Sequence, residues 1–315
     1  MGDTATFGVD LGGTNVRVAV VDPDGGVVEE RHAHTPATLD GIIDHITDVV
    51  RGFMPLRPEA RALGVGAAGM VDHEGTIHYS PNVPAFLHAP VRARLEESVG
   101  IPTVVDNDAN VAVVAELVHG AARGCSEVLL ITLGTGVGGG IVTRGEVLRG
   151  AHGFGAEVGH FQVDPDGPLC ACGQRGHWEA VASGTALGAL AREWAAAGAA
   201  PSVLARAGGV AADITGVVVG DAARDGADDA VAVIGEYARY VGIGLVGLVN
   251  IFDPELVVVS GGLVGLGDVL LEPLRAAFDG RIEGAPHRPE VPIVAAELGP
   301  RAGVVGAAVL ARELG

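Results

Sequence analysis

Residues 7–21 read Phe-Gly-Val-Asp-Leu-Gly-Gly-Thr-Asn-Val-Arg-Val-Ala-Val-Val, two apolar stretches joined by a Gly-Gly turn. Phe7 to Asp10 is typical of a strand, Leu11 to Thr14 of a tight turn, and Val16 to Val21 of a second strand. A Pro-Asp-Gly-Gly turn and a third strand near Val27 to Arg31 follow. The sequence therefore predicts an antiparallel meander whose first turn is open to a ligand.

The same order of elements occurs again later in the chain. A strand from Glu127 to Leu133, a glycine turn from Gly134 to Gly136 and a strand from Gly139 to Thr143 repeat the first hairpin. Two further pairs of segments resemble each other: 63–69 with 256–262, and 101–105 with 291–295. Two halves with one element order predict an α/β protein with a duplicated fold, arranged as two domains around a central cleft.

The length also favours two domains, because 315 residues exceed the size at which single cores usually split. We place a small α/β domain at residues 1–111, completed by residues 301–315. A large α/β domain, carrying the cysteine-rich loop described below, takes residues 112–300. The predicted helices are Leu39 to Gly52, Asp108 to His119, Gly184 to Ala197, Asp229 to Phe252 and Leu270 to Phe278.

Charge and composition exclude several classes of function. The net charge is −19, which argues against nucleic acid or an anionic membrane as a partner. All twenty basic residues are arginine, so a Walker A lysine and a Schiff-base mechanism are excluded. Three cysteines give no convincing disulfide framework, and no signal peptide precedes the first strand, so we expect a cytoplasmic protein. Val241 to Phe252 is too short to span a bilayer, and a buried helix explains it.

A cysteine- and histidine-rich segment holds four candidate metal ligands: His160, Cys170, Cys172 and His177. Zinc accepts Cys sulfur and His nitrogen in a closed tetrahedron, so these residues predict one structural Zn²⁺ site. The alternative is a metal-free loop in which His177 is held by hydrogen bonds.

Two carboxylates, Glu157 and Glu179, flank that segment. Ionised carboxylates accept several hydroxyl hydrogen bonds at once. Held rigidly beside an imidazole anchored by a metal, they suit recognition of a polyhydroxylated ligand. The expected ligand is a sugar.

Two glycine-rich turns lie at matching strand ends of the two repeats. Glycine there lets backbone N–H groups close on phosphate oxygens without a lysine. A hairpin without a ligand explains one such turn equally well, but two at equivalent places indicate a phosphate site more strongly. The predicted nucleotide-binding residues of these turns are Gly12, Gly13, Thr14, Gly134, Thr135 and Gly136.

Two more positions extend the predicted nucleotide site. Asp10, at the mouth of the first turn, suits Mg²⁺ held through water beside phosphates. Gly261 and Gly262 follow an apolar strand and offer a close approach to the adenosine part of a nucleotide. A turn that simply enters a helix explains that pair equally well.

The segment Asp106-Asn107-Asp108-Ala109-Asn110 follows a strand and opens a helix. One interpretation is an N-cap, for which Asp and Asn are preferred. The other is that Asp108 accepts a proton from a sugar hydroxyl that attacks a phosphoryl group, while Asn107 orients the sugar. A helix N-terminus favours the carboxylate form, and phosphoryl transfer needs only a modest base.

Together these motifs resemble the ROK (repressor, ORF, kinase) family of the actin-like ATPase superfamily, with its ribonuclease H-like fold, and most closely the bacterial ATP-dependent glucokinases of that family. The resemblance covers nearly the whole chain. The motifs are Asp10 to Thr14, Asn107-Asp108, Leu133 to Gly140, the E-x-G-H of 157–160 and the C-x-C-G-x-x-G-x-x-E of 170–179.

The resemblance implies an ATP:hexose 6-phosphotransferase that transfers phosphate from Mg-ATP to the 6-hydroxyl of glucose, with Asp108 as the general base. It implies that glucose contacts Asn107, Asp108, Glu157, His160 and Glu179. His160 would bind zinc through its other ring nitrogen. The asparagine of a Ser-Pro-Asn segment, here Asn82, faces the sugar in similar proteins. A homodimer or homotetramer is implied as well.

Two positions depart from the family pattern. His177 stands where a third cysteine is usual, and Cys₂His₂ remains a good zinc set. Asn15 stands where a lysine often follows Gly-Gly-Thr, so neutralisation of phosphate depends more on Mg²⁺ and backbone amides.

Other functions stay open at this stage. Within kinases they are an N-acetylmannosamine kinase, another hexose kinase or a polyphosphate-dependent enzyme. A sugar-responsive regulator without catalysis is the rival from another class. Repressors of this kind carry an N-terminal helix-turn-helix, whereas this chain enters its first strand by Phe7 and is strongly acidic.

Overall fold

The computed structural model describes residues 4–81 and 83–314. Asn82, a predicted sugar ligand, lies outside the described residues. The elements of the first part of the chain are β1 (Thr6–Leu11), β2 (Asn15–Val21), β3 (Val27–His34), α1 (Leu39–Phe53), β4 (Leu63–Ala67), β5 (Met70–Val71), β6 (Ile77–Tyr79), α2 (Val91–Val99), β7 (Thr103–Asn107) and α3 (Asp108–His119). The elements of the rest are β8 (Val128–Leu133), β9 (Val137–Thr143), β10 (Glu146–Val147), α4 (Glu179–Ala182), α5 (Gly184–Ala196), α6 (Pro201–Arg206), α7 (Gly216–Arg224), α8 (Asp228–Phe252), β11 (Leu256–Ser260), α9 (Asp268–Phe278), β12 (Ile293–Ala295) and α10 (Ala302–Arg312).

Two five-stranded sheets share one strand order. The first runs β3-β2-β1-β4-β7 and the second β10-β9-β8-β11-β12. In the first, β1, β2 and β3 form an antiparallel meander, whereas β4 and β7 continue the sheet in parallel. In the second, β8, β11 and β12 are likewise parallel. The predicted meander and the duplicated α/β fold are therefore confirmed.

By their contacts the described residues form two compact units. Unit 1 takes in the described parts of 1–125, 140–156 and 297–315, and unit 2 takes in 126–139 and 157–296. The domain boundaries expected from the sequence stay a prediction.

The two faces of β1 pack differently in unit 1. Phe7, Val9 and Leu11 are fully buried in one apolar core. The inner face of α1 joins that core, and its N-terminus is capped by the Thr38 hydroxyl, which accepts a hydrogen bond from Gly41 N at 3.2 Å. The pattern is the period-2 alternation of a strand that is buried on both sides.

The opposite face of β1 lies directly on α10. A Cβ added at Gly8 would come within 2.0 Å of Val304 O, and one at Gly64 of β4 within 1.8 Å of Ala307 O. The Thr6 hydroxyl, two residues before Gly8, donates to Ala308 O at 2.7 Å. Glycine is therefore required at positions 8 and 64, because the helix backbone occupies the space of a side chain there.

One helix of the described residues, α8, has the length and apolar composition to cross a membrane. Half of its apolar window is buried inside the protein, including Tyr237 and Leu245. The predicted buried helix is thus present, and packing within unit 2 accounts for its hydropathy.

Substituting Gly64→Ala should lower the free energy of unfolding by at least about 2 kcal/mol, because the new methyl group overlaps the Ala307 carbonyl. Urea denaturation followed by circular dichroism measures this change. The matched control is Gly52→Ala in α1, where a Cβ would meet nothing within 4 Å. That variant should be as stable as the wild type or more stable by about 0.5 kcal/mol. Equal stability of the two variants would contradict the close packing of α10 on β4.

Candidate active site

The turn between β1 and β2 holds Asp10 against the start of α10. A Cβ added at Gly303 would lie 2.6 Å from Asp10 Cγ, so the carboxyl group packs on helix backbone. Burial raises the pKa of Asp10, and the charge of Arg17 on β2 partly opposes this rise. Gly12 N donates to Asn15 O at 3.1 Å and so closes the turn. Asp10 is thus held at the base of a tight glycine turn, as the sequence predicts.

The turn is also held from outside. The Thr35 hydroxyl donates to Gly12 O at 2.7 Å, and Thr35 N donates to Thr14 O at 2.9 Å. Gly13 and Thr14 remain exposed. The turn therefore offers a fixed backbone to an anionic ligand.

Asn107 and Asp108 lie where β7 ends and α3 begins. Asn107 is the N-cap: its Oδ1 accepts from Ala109 N at 2.9 Å, and its Nδ2 donates to Gly69 O at 3.1 Å. Asp108, the first residue of α3, is exposed, and its Oδ1 accepts from Ala109 N at 2.9 Å. The structure gives the segment its capping role and also leaves the carboxyl group of Asp108 exposed at a helix N-terminus.

The four predicted metal ligands lie together in unit 2. The ligand atoms of His160, Cys170, Cys172 and His177 all fall within 4.8 Å of one another. Cys172 Sγ is 3.2 Å from His177 Nδ1, and Cys170 Sγ is 3.8 Å from His160 Nδ1. A tetrahedron with zinc–ligand bonds of about 2.0–2.3 Å has edges of roughly 3.3–3.8 Å, so the cluster fits a zinc ion.

In this arrangement His160 turns Nδ1 toward the cluster, which leaves Nε2 on the other side of the ring. The pKa of the Cys170 thiol is raised to about 12, mainly by burial. The thiol donates a hydrogen bond to Glu179 Oε1 at 3.3 Å. A bound metal ion would remove that proton, since thiolate is the form that binds metal.

Glu179 is positioned by its neighbour Trp178. Trp178 is fully buried, its Nε1 donates to Tyr240 O at 3.0 Å, and a Cβ at Gly244 would fall within 2.0 Å of its ring. Glu179 Oε2 accepts from Val137 N at 3.0 Å. The carboxylate therefore connects the cysteine-rich segment with the backbone that leaves the second glycine turn.

Glu157 begins the same segment, and its side chain keeps an exposed face. Protein atoms crowd the carboxyl group enough to raise its pKa by desolvation; the charge of His160 opposes this rise, and that of Glu179 adds to it.

The second glycine turn borders a cavity of about 410 Å³ in unit 2. Gly184 N donates to Gly134 O at 2.7 Å and the Thr185 hydroxyl donates to Thr135 O at 2.8 Å, so the start of α5 is tied to the turn. The cavity has the size of a small-molecule site. Its walls are Gly134, Thr135, Gly184, Thr185, Gly188, Arg192, Thr215, Gly216, Val217, Gly220, Arg224, Gly262, Leu263 and Leu266.

The predicted nucleotide-binding residues of unit 2 divide into two groups. Gly134, Thr135 and Gly262 line the cavity. Gly136 instead packs on Glu179, and Gly261 packs on Leu133, where added Cβ atoms would fall 2.3 Å from Glu179 Oε2 and 2.5 Å from Leu133 O. These two glycines thus shape the backbone behind the cavity.

Sequence reasoning missed most of the cavity wall. Its residues come from α5, α7 and the 3₁₀ turn after β11. A weak signal was present for α5, where the Ser183 hydroxyl accepts from Ala186 N at 3.1 Å as an N-cap. For α7, nothing in a run of alanine, valine and glycine indicated a ligand.

Residues 6–314 match the ROK family, and the chain belongs to that family. It is 42% identical over 311 residues to the glucokinase of Streptomyces coelicolor, with 98% of each chain covered. It is 33% identical over 310 residues to the N-acetylmannosamine kinase of Salmonella typhi, again with 98% of each chain covered. Among solved structures, a ROK family glucokinase from Streptomyces griseus in complex with glucose and AMPPNP has a TM-score of 0.87 and 42% identity, over 98% of this chain and 99% of that one.

The family and the shared strand order of the two sheets agree with the actin-like ATPase fold expected from the sequence.

Proposed function

We propose that this protein is an ATP-dependent glucokinase, an ATP:hexose 6-phosphotransferase that phosphorylates the 6-hydroxyl of glucose. One observation carries the proposal: Asp108 is an exposed carboxylate at the start of α3, behind a fixed Asn107 cap, in a chain 42% identical to a glucokinase over nearly its whole length. The same segment also gives the reaction the base that it needs.

In this reaction Asp108 accepts the proton of the 6-hydroxyl while the hydroxyl oxygen attacks the γ-phosphorus of ATP. The bond between that phosphorus and the oxygen bridging to the β-phosphate breaks, and ADP leaves. Phosphoryl transfer depends mainly on positioning and charge stabilisation, so a modest base is sufficient. Within unit 1, Asp10 and the turn of Gly12, Gly13 and Thr14 would face the phosphates. Mg²⁺, held by Asp10 through water, would supply the charge that a lysine supplies in other kinases.

The sugar contacts proposed for unit 2 come from Glu157, His160 and Glu179. The carboxylates of the two glutamates accept hydrogen bonds from sugar hydroxyl groups. His160 offers Nε2, because its Nδ1 faces the cysteine cluster. The cavity beside Gly134 and Thr135 has room for the adenosine part of ATP. We keep Asn107 and Asn82 as sugar ligands on the family resemblance, and Gly136 and Gly261 as part of the nucleotide site because glycines at strand ends allow close approach of a ligand.

We also propose a structural Zn²⁺ in the cluster of His160, Cys170, Cys172 and His177, whose ligand atoms all lie within 4.8 Å of one another. Its chemistry would be to cross-link the loop and to fix the ring of His160. A cytoplasmic location and an assembly of two or four copies remain predictions.

The substrate test is steady-state turnover with ATP and Mg²⁺, measured by ADP release, on glucose, mannose, fructose, N-acetylglucosamine and N-acetylmannosamine. Glucose should give the highest kcat/KM. A higher kcat/KM for N-acetylmannosamine would instead indicate an N-acetylmannosamine kinase, the activity of the relative that is 33% identical. If none of these sugars supported turnover, the proposed activity as a whole would be contradicted.

Substituting Asp108→Asn should lower kcat by about 10²- to 10⁴-fold, because the general base is lost. Glucose binding, measured by calorimetry, should stay within a few-fold of the wild type, since the side chain keeps its size. Asp268→Asn is the matched control, an exposed first residue of α9. It should keep full activity. Wild-type kcat in the Asp108 variant would show that the base is another residue.

Purified protein should contain about one zinc ion per chain by inductively coupled plasma mass spectrometry. Cys172→Ser should lose most of that zinc and melt at a lower temperature, because the loop loses its cross-link. Cys125→Ser, outside the cluster, should keep both the zinc and the melting temperature. If the wild-type protein still contained no zinc after incubation with Zn²⁺, the proposed metal site would be contradicted.

A further inference from the structure

One buried carboxylate has no part in the reaction described above. Asp106, the residue before Asn107, is the last but one residue of β7, and its side chain is only 8% exposed. It accepts three hydrogen bonds: from Asn107 N at 2.7 Å, from Asn110 Nδ2 at 2.9 Å and from Arg149 Nε at 2.8 Å. A buried charge needs such partners, since burial without them is costly.

Two of these donors belong to the segment that carries Asp108. One donor, Asn107 N, belongs to the residue before Asp108. The other, the Asn110 side chain, belongs to the first turn of α3, two residues after Asp108. Both donate to the same oxygen, Asp106 Oδ1. The position of that oxygen therefore determines where the start of α3 sits relative to β7.

The third donor fixes the other oxygen of the carboxylate. Arg149 lies in the loop after β10, and this loop is closed on itself because Gly155 N donates to Arg149 O at 2.8 Å. The loop is anchored further by the His73 imidazole, whose Nε2 is 3.1 Å from Gly150 O. Close packing holds Gly153, where a Cβ would come within 2.4 Å of Val71 O. The guanidinium group thus reaches Asp106 from a fixed backbone.

Packing alone leaves room for Asp106 to move. A cavity of about 220 Å³ adjoins the ion pair and is also lined by Val104, Val105 and Leu310. Protein interiors hold side chains by contact, and contact is incomplete here. The hydrogen bonds to Asp106 are what keep the carboxylate in its place.

We propose that Asp106 and Arg149 are positioning residues for the transfer step: their ion pair sets the position of the start of α3 and thereby the carboxylate of Asp108. The inference rests on the proposed function, in which Asp108 is the base. Neither residue touches the substrate in this proposal, and both act through the capped turn.

The experiment is a double-mutant cycle of Arg149→Met, Asp106→Asn and the double variant, assayed with glucose and ATP. Each single variant should lose about 10- to 100-fold in kcat, because small displacements of a reacting group have effects of that size. The change in glucose KM should be smaller, since hydrogen bonds to a sugar tolerate more displacement than proton transfer. The double variant should be no worse than the poorer single one, because both substitutions remove the same pair.

Two controls separate positioning from general loss of structure. Arg149→Lys keeps a positive charge beside Asp106 and should recover more than half of the kcat lost in Arg149→Met. Arg92→Met breaks an ion pair with Glu96 in the same unit, in which the arginine is about as exposed as Arg149, and should keep wild-type kcat. Melting temperatures are measured for all variants, and assays are run well below the lowest of them.

A kcat of Arg149→Met within twofold of the wild type would overturn the inference, as would single effects that multiply in the double variant. If Arg149→Met does not fold, Asp106→Asn decides the question, and a kcat of that variant within twofold of the wild type would overturn the inference. Failure of the wild type itself to phosphorylate glucose would count against the proposed function; the cycle is then run with whichever sugar supports turnover.

Discussion

The packing of α10 on the glycine face of β1 and β4 is the constraint on which unit 1 depends. Gly8 and Gly64 admit the helix backbone to within contact of the strands. The alternation of β1 then assigns Asp10 to the same face, against Gly303. A helix placed at ordinary distance would leave Asp10 open to water and its carboxyl group free to rotate. The site residue at the end of β1 is thus held by the same contact that assembles the sheet and helix.

The sequence was sufficient to predict the fold because its main signals are local and repeated. The Gly-Gly turn after β1 and the glycine turn after β8 sit between apolar strands of similar length, and both hairpins form as expected. The repeat also predicted that β4 and β11 occupy equivalent places, and each lies between two parallel strands in its sheet. The five predicted helices all form, with ends that agree within two residues.

The candidate site was predicted less completely, for a physical reason. The cluster of His160, Cys170, Cys172 and His177 was visible because metal ligands are rare residue types at short spacing. The cavity wall from α5 and α7 is built from glycine, threonine, valine and arginine, which are common everywhere, and tertiary packing alone brings them together. Asp106 looked like part of a cap, and its partner Arg149 is 43 positions away, beyond the range of any local pattern.

Six of the fourteen residues that wall the cavity in unit 2 are glycines. A Cβ added at Gly216 would fall 2.6 Å from Gly184 O, and one at Gly188 would fall 3.1 Å from Gly216 N. The helices α5 and α7 therefore approach each other at a distance that side chains would forbid. Larger residues can narrow the cavity at Gly262, where an added Cβ meets nothing within 4 Å, and truncation of Arg192, Val217 or Leu266 can widen it. The spacing of α5 and α7 is consequently set by their glycines, whereas the breadth of ligands that the cavity admits can be tuned through the side chains that line it without changing the fold.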